Sequence, residues 1–310
     1  MRPAIPPFYL TGPTASGKSG VAVALAECIG GEIVNADAFQ LYRGLDTLTA
    51  KPSQAERERV PHHLYDVLDP ESPCDAQRYR DLALPVIAEI AGRGRWPIVV
   101  GGSGLYIKAL SHGLAELPKG DEALRVELRA MPLEEKVIRL LALDPEAAQN
   151  VPLANPRYVE RALEICLLTG KPQSALRQNF AQTEPWGRGV VLSWDREALY
   201  ARINQRVLAM LDAGVLDEVA AFQGKGGPEK AIGVRELRAH LAGESTLAAA
   251  VEAMQQATRH YAKRQGTWFR RETWLQTICL DSTSTPESAA AQVIGHFPWL
   301  KSLPCSYPTG

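Results

Sequence analysis

The string Gly12-Pro13-Thr14-Ala15-Ser16-Gly17-Lys18-Ser19 constrains this chain more than any other feature. It matches G-x-x-x-x-G-K-[ST] directly after the apolar segment Phe8–Leu10 and directly before a helical stretch, the context a P-loop requires. In such a loop successive backbone N–H groups and a helix N-terminus point at phosphate oxygens. The lysine adds a point charge and the last hydroxyl can hold Mg²⁺, here Ser19. The chain is therefore expected to organise its chemistry around a phosphate or diphosphate, with Gly12 to Ser19 as the binding loop.

The remaining pattern predicts an α/β fold. A helix is expected from about Lys18 to Cys28, stopped by Gly30 and Gly31, followed by a strand Glu32–Asn35 that ends at Asp37. A further strand Trp96–Val100 runs into Gly101-Gly102-Ser103-Gly104. Runs that are apolar on both faces and alternate with helices suggest a parallel sheet covered on both sides, a P-loop NTPase-like core. Ligands of such sheets bind beyond the carboxyl ends of the strands, where the P-loop, Asp37 and Ser103 all fall. From about Asp121 the chain turns helical and charge-rich, and Val190–Trp194 returns to the sheet. An inserted helical domain is thus expected at roughly 120–188, between core segments at roughly 1–119 and 189–310.

Within the insertion, Asn155 suits an N-cap, Pro156 a first helical turn, and Gly170 with Pro172 a helix end. Val159, Ala162, Leu163 and Cys166 share one face, leaving Arg157, Glu160, Arg161 and Glu164 on a polar one. Near the C-terminus, the window Arg259–Arg271 holds Arg259, Lys263, Arg264, Arg270 and Arg271 with no acidic residue, interleaved with Tyr261, Trp268 and Phe269. Arg259, Lys263 and Arg270 fall within about 40° of one another on a helix, a basic stripe.

Bulk properties exclude other classes. Lys and Arg total 34 against 35 for Asp and Glu, so any nucleic-acid surface must be local. No segment reaches the ~18 apolar residues of a membrane span, and the P-loop begins too early for a signal peptide; a cytoplasmic protein is expected. The five cysteines, Cys28, Cys74, Cys166, Cys279 and Cys305, form no C-x-x-C pair and read as reduced thiols. The pair His62-His63 reads as a turn before Leu64–Leu68 rather than as metal ligands.

A P-loop usually signals nucleotide binding, ATP binding above all, with hydrolysis or phosphoryl transfer, which need an acid near a strand end to hold the metal. Here that strand ends in Gly101-Gly102-Ser103, and neither an N-K-x-D nor a D-x-x-G motif is present, which argues against a GTPase. The remaining acid is Asp37. It would activate an acceptor hydroxyl in a small-molecule kinase, or take a proton from another nucleophile in a different group transfer.

Several longer strings resemble the bacterial tRNA dimethylallyltransferases, the tRNA isopentenyltransferase family. They are GPTASGKS from Gly12, NADAFQLYRGLD followed by TAKP from Asn35 to Pro52, HHLYDVLDP from His62, GGSGLYIKAL from Gly101, NPRYVERALEICLLTGKP from Asn155, AIGVREL from Ala231, and TRHYAKRQGTWFRR from Thr258. They span nearly the whole chain in order.

The resemblance implies transfer of a dimethylallyl group from its diphosphate to the exocyclic amine of the adenosine beside the anticodon, with Mg²⁺ as cofactor. It implies that Asp37 is the base, with Lys18 and Ser103 beside it. Implied contacts with the tRNA anticodon stem-loop are Asp37, Ala38, Phe39 and Gln40; Ser103 and Arg125; Arg157, Tyr158, Val159, Glu160 and Arg161; Arg235 within Lys230–Arg235; and Lys263, Arg264 and Arg270. A monomer without membrane attachment is implied. Arg202 and Arg206, one turn apart, either close over the diphosphate or are plain helix surface. The chain departs from the family pattern at Ala38-Phe39 (usually Ser-Met or Ser-Ala), Leu48 (Gly), Ser103 (Thr) and Val234 (Tyr). Two rivals remain at this level: a kinase using the same loop and carboxylate, and an RNA-binding protein without catalysis.

Overall fold

The computed structural model describes residues 5–114, 117–178 and 184–302. Cys305 and the tail beyond Ser302 lie outside the described residues. The described residues form two compact units, one within 1–111 and 185–310 and the other within 112–184.

The first unit is built on a six-stranded sheet: β1 (Phe8–Thr11), β2 (Gly31–Asn35), β3 (His62–His63), β4 (Trp96–Gly101), β5 (Arg188–Trp194) and β6 (Leu275–Leu280). The order is β3-β2-β4-β1-β5-β6 and every pairing is parallel. Alternate residues serve the two faces, as a sheet buried on both sides demands. Phe8, Leu10, Ile33, Ile98 and Val190 pack on the face holding α1 (Lys18–Ile29) and a C-terminal helix, whereas Tyr9, Val34 and Val99, also buried, alternate with them. Helix α1 ends where expected, with Gly30 in the left-handed conformation at its C-cap. His62 and His63 are not a turn: they pair with Ile33 and Val34 as the edge strand β3, and His63 Nε2 lies 2.7 Å from Glu32 Oε2.

Six further helices of this unit shape the site: α2 (Asp46–Thr49), α3 (Ala76–Gly92), α4 (Gly104–Ser111), and, after the excursion into the second unit, α6 (Arg196–Asp212), α7 (Val215–Ala221) and α8 (Leu247–Phe269). The Trp186 N–H donates to Ser111 O (2.6 Å), so the chain is tied back to the core before β5 begins and the helical unit spans 112–184.

Among its described residues the second unit forms helices and no strand, and it has its own core of Leu128, Leu140, Ala147, Val159, Leu163 and Cys166. Its helix α5 (Pro156–Thr169) begins at Asn155, whose side chain accepts from Arg157 N, and ends at Gly170 in the left-handed region. Val159 is fully buried, so it packs the core and offers no side chain to an RNA. Glu164 is not on an open polar face either. It is 1% exposed and receives Asp121 N–H (3.0 Å), Arg125 Nε (2.8 Å) and Arg161.

Candidate active site

The P-loop leaves β1 through Gly12 (φ 149°) and reaches α1 through Ala15 (φ 63°) and Gly17 (φ 87°). A side chain at Gly12 would meet Leu192 O at 2.8 Å, so only glycine lets the loop pass this close to β5. Four side chains clamp the loop from outside. Trp194 Nε1 donates to Ser16 O (3.0 Å) and Arg202 Nε to Ala15 O (2.9 Å), while the Arg202 guanidinium lies 4.2 Å from the centre of the Trp194 ring. Arg206 Nη1 donates to Thr14 Oγ1 (3.1 Å). From α8, Gln265 Oε1 accepts Thr14 N–H (2.8 Å), and its Nε2 donates to Gly102 O (2.9 Å). Arg202 and Arg206 therefore do reach the loop, on consecutive turns of α6. Trp194 and Gln265 were missed in the sequence. The one signal for them was position: Trp194 closes a strand and Gln265 sits in the basic, aromatic window.

Lys18 Nζ donates to Pro13 O (2.7 Å). Its pKa falls to about 8, chiefly because burial penalises the ammonium, with Asp37 opposing the fall and Arg206 adding to it. Burial likewise pulls Arg206 down, again against the attraction of Asp37. Ser19 stands exposed in the first turn of α1.

Asp37 follows β2 and is held by its neighbours. Its N–H donates to Asn35 Oδ1 (2.8 Å), and its own Oδ1 accepts Phe39 N–H (3.0 Å). Asn35 is fully buried and anchored in turn, its Nδ2 donating to Leu64 O (2.9 Å) and its carbonyl accepting Tyr79 Oη–H (2.9 Å). Ser103 Oγ accepts Ala38 N–H (3.1 Å), which joins the end of β4 to the turn carrying Asp37 and leaves the hydroxyl proton to donate elsewhere. A side chain at Gly101 would meet Ala36 O at 2.2 Å, so a glycine here lets the two strand ends lie side by side. Gln40 turns inward, its amide donating to Thr49 O (2.9 Å) and Ala50 O (3.0 Å). Lys51, its side chain 1% exposed, binds Tyr42 O, Gly44 O, Asp46 and Asp66, and so staples the loop after Asp37.

Lys18, Ser19, Asp37, Gln40, Arg202 and Arg206 line one open cleft of about 610 Å³ beyond the carboxyl ends of the central strands. The arrangement puts an anion-binding loop, two guanidiniums and a carboxylate around one space. It can hold a diphosphate and accept a proton beside it.

Of the basic stripe, Lys263, Arg264 and Arg270 are exposed, whereas Arg259 is half-buried and donates to Asn204 Oδ1 (2.7 Å). Arg235 is exposed and paired with Glu236. In the helical unit, Arg157 and Tyr158 are exposed. Arg125 and Arg161 are committed to Glu164, Arg161 also donating to Pro118 O (2.8 Å), and Glu160 accepts from Lys136 (2.7 Å).

Among the described residues no group of three His, Cys, Asp or Glu side chains could hold a metal, and no helix is long and apolar enough to cross a membrane.

The family described as IPP transferase matches residues 40–272, and the one described as isopentenyl transferase matches residues 7–68. A tRNA dimethylallyltransferase of Geobacter metallireducens is 45% identical over 297 residues, covering 92% of this chain and 96% of its own. One from Akkermansia muciniphila is 43% identical, covering 93% and 99%. Among solved structures, the full-length tRNA isopentenylpyrophosphate transferase of Bacillus halodurans superposes with a TM-score of 0.68 at 34% identity, over 96% of this chain and 99% of that one. A eukaryotic dimethylallyltransferase acting on tRNA gives a TM-score of 0.81 at 26% identity, over 96% and 79%. With matches of this extent, joined to a P-loop that shares its cleft with a carboxylate, the chain belongs to the tRNA dimethylallyltransferase (IPP transferase) family.

Proposed function

We propose that this chain transfers a dimethylallyl group from dimethylallyl diphosphate to the exocyclic amine of the adenosine 3′-adjacent to the anticodon in tRNA, releasing diphosphate. The observation that carries the reading is the shared cleft: Lys18 and Arg206 sit with Asp37, a cation-lined anion site next to a base, and β4 ends in glycine rather than in an acid.

An allylic diphosphate ionises readily once the charge on its departing oxygens is stabilised. The P-loop amides, the Lys18 ammonium and the guanidiniums of Arg202 and Arg206 are placed to do that around the cleft. The C1–O bond breaks as the adenine nitrogen bonds to C1, and the amine proton passes to the Asp37 carboxylate. The amine is a weak nucleophile because its lone pair is delocalised into the ring, which gives the base its importance. Asn35 holds Asp37 in position from behind, and Ser103 secures the adjoining turn.

The donor set suits Mg²⁺. One hydroxyl, Ser19, at the mouth of an anion loop is the kind of sparse protein ligation this ion accepts when a diphosphate and waters complete its shell. When bound, the ion would neutralise part of the leaving group's charge.

The adenine must leave its stack to reach Asp37, at a cost of a few kcal/mol that binding elsewhere offsets. Exposed Lys263, Arg264 and Arg270 on the first unit, and Arg157 and Tyr158 on the helical unit, suit phosphate contact and base stacking. In this reading the protein works in the cytoplasm as a monomer.

The test is incubation with unmodified tRNA, Mg²⁺ and either dimethylallyl diphosphate or ATP, followed by mass analysis of the nucleosides. One dimethylallyl group on adenosine with the first donor alone supports the transferase. ATP consumption without a modified nucleoside would replace it with the kinase.

A further inference from the structure

Beside the cleft lies a second, smaller pocket of about 80 Å³ that shares Asp37 and Arg206 with it. Behind that mouth the walls are Phe39, Leu48, Val207 and Met254. Three threonines and Tyr261 also border the pocket: Thr14 stays at the mouth, where its hydroxyl accepts from Arg206 (3.1 Å), while Thr49 donates to Leu45 O (2.7 Å) and Thr258 to Met254 O (2.7 Å). Past the mouth an occupant therefore meets hydrocarbon apart from the Tyr261 ring and its hydroxyl. An adenine ring carries several polar edges that one phenol hydroxyl cannot satisfy in such a space, whereas a short branched alkene loses nothing there.

We propose that this pocket receives the five-carbon tail of the donor and that Leu48, with Met254, sets the limit on chain length. The inference rests on the prenyl-transfer reading above and adds the residues that select the donor.

Leu48 and Met254 form a common end wall. Leu48 Cδ1 and Met254 Cε lie 2.6 and 2.7 Å from where a side chain on Gly233 would begin, so the two tips converge over that glycine. Both residues are buried, 5% and 2% exposed. Leu48 cannot swing aside with its backbone, because Glu218 on α7 accepts both Thr47 N–H (2.8 Å) and Leu48 N–H (2.9 Å) and so fixes α2. The Leu48 side chain contributes four carbons to this wall. A longer prenyl diphosphate placed with its C1 at Asp37 would drive its second isoprene unit into this wall. Overpacking of a formed pocket is penalised steeply, and a single methylene is already worth roughly 10–200-fold in selection.

The experiment compares dimethylallyl and geranyl diphosphate as donors to an unmodified anticodon stem-loop, with the nucleosides read by mass. The wild-type chain should use the first donor and reject the second. Leu48→Ala should gain geranyl transfer, shifting the geranyl-to-dimethylallyl ratio of kcat/KM by at least tenfold. Leu48→Phe should raise the KM for dimethylallyl diphosphate at least tenfold while the KM for the stem-loop moves less than threefold.

A wild-type chain that prenylates while neither variant moves the donor ratio or the donor KM would overturn the assignment and leave the transferase standing. So would a Leu48→Phe variant whose stem-loop KM rises instead, since the pocket would then hold the base. A wild-type chain that prenylates no RNA would remove the transferase reading itself. Should Leu48→Ala fold poorly, the Leu48→Phe kinetics decide alone.

Discussion

Gln265 Oε1 accepts the backbone N–H of Thr14 at 2.8 Å while the other end of the same amide donates to Gly102 O at 2.9 Å. One buried side chain on α8 thus bridges the glycine-rich loop 12–19 and the strand end that leads to Ser103. Replacing it with leucine keeps the volume and strands both backbone groups, each worth about 1–3 kcal/mol when unsatisfied. Gln265→Leu is expected to raise the KM for dimethylallyl diphosphate about tenfold and to leave tRNA affinity within threefold. Steady-state kinetics with filter binding would check this; an equal loss in both would point to general unfolding of the site.

Asp37→Asn removes the proposed base but keeps an oxygen that accepts Phe39 N–H. Turnover should fall by about 10²–10⁴-fold, the usual contribution of a positioned base, with tRNA binding changed only a few-fold. Single-turnover rates beside equilibrium binding measure the two separately. Retention of full turnover would take the proton-acceptor role away from Asp37.

Lys18 has its pKa lowered to about 8 by burial, and a bound diphosphate would raise it again. The ammonium is present below pH 8 in the free enzyme and is lost above it. Donor affinity should therefore be flat on the acid side of 8 and weaken above it, by up to about tenfold per pH unit, until the pKa of the bound state is reached. Isothermal titration with a non-reactive diphosphate analogue across pH 7 to 10 reads this directly. For the empty protein the same group works in the opposite direction: the unfolded chain binds more protons than the folded one between 8 and about 10.4, so its contribution to stability rises with pH in that window.

In the helical unit, burial works against the Glu164 charge. Hydrogen bonds from Arg161, Arg125 and the Asp121 N–H outweigh it and hold the carboxyl below its usual range. Stability from this site is present above the unfolded carboxyl pKa of about 4.3 and disappears as pH falls through the lower folded value. Glu164→Gln should cost about 1–3 kcal/mol at pH 7 and flatten the acid limb of the unfolding curve. Denaturant titration at pH 7 and pH 3 gives both numbers, and an unchanged pH 7 midpoint would dismiss the cluster as surface decoration.

Lys263 and Arg264 are exposed, so tRNA affinity should carry their signature. The double change to glutamine is expected to weaken binding about tenfold at low salt. It should also reduce the slope of log K against log salt by about 0.7–0.9 for each RNA phosphate that no longer has a cation beside it. A salt series that superposes on the wild type would place the RNA elsewhere.

Much of this architecture was legible in local pattern. A strand, a glycine-rich turn and Lys18 at a helix start specify a P-loop because backbone geometry and anion binding act within eight residues. Asn155, Pro156 and Gly170 bounded their helix for the same local reason. Pairing across the sheet and burial in depth are not local. His62 and His63 read as a turn because two residues carry no periodicity, and only the open edge of β2 makes them a strand. Glu164 fell on a polar face by helical spacing. It became a buried carboxylate because Arg125, 39 positions away, and Arg161 close over it. Gln265 and Trp194 reach the P-loop from 251 and 178 positions along the chain, distances at which spacing holds no information and packing decides. The sequence by itself determined the kind of chemistry this protein holds, since an anion loop and a carboxylate at a strand end are short-range facts. Tertiary structure alone decided which side chains close around that loop and carboxylate, because those contacts depend on helices that meet only after the sheet has closed.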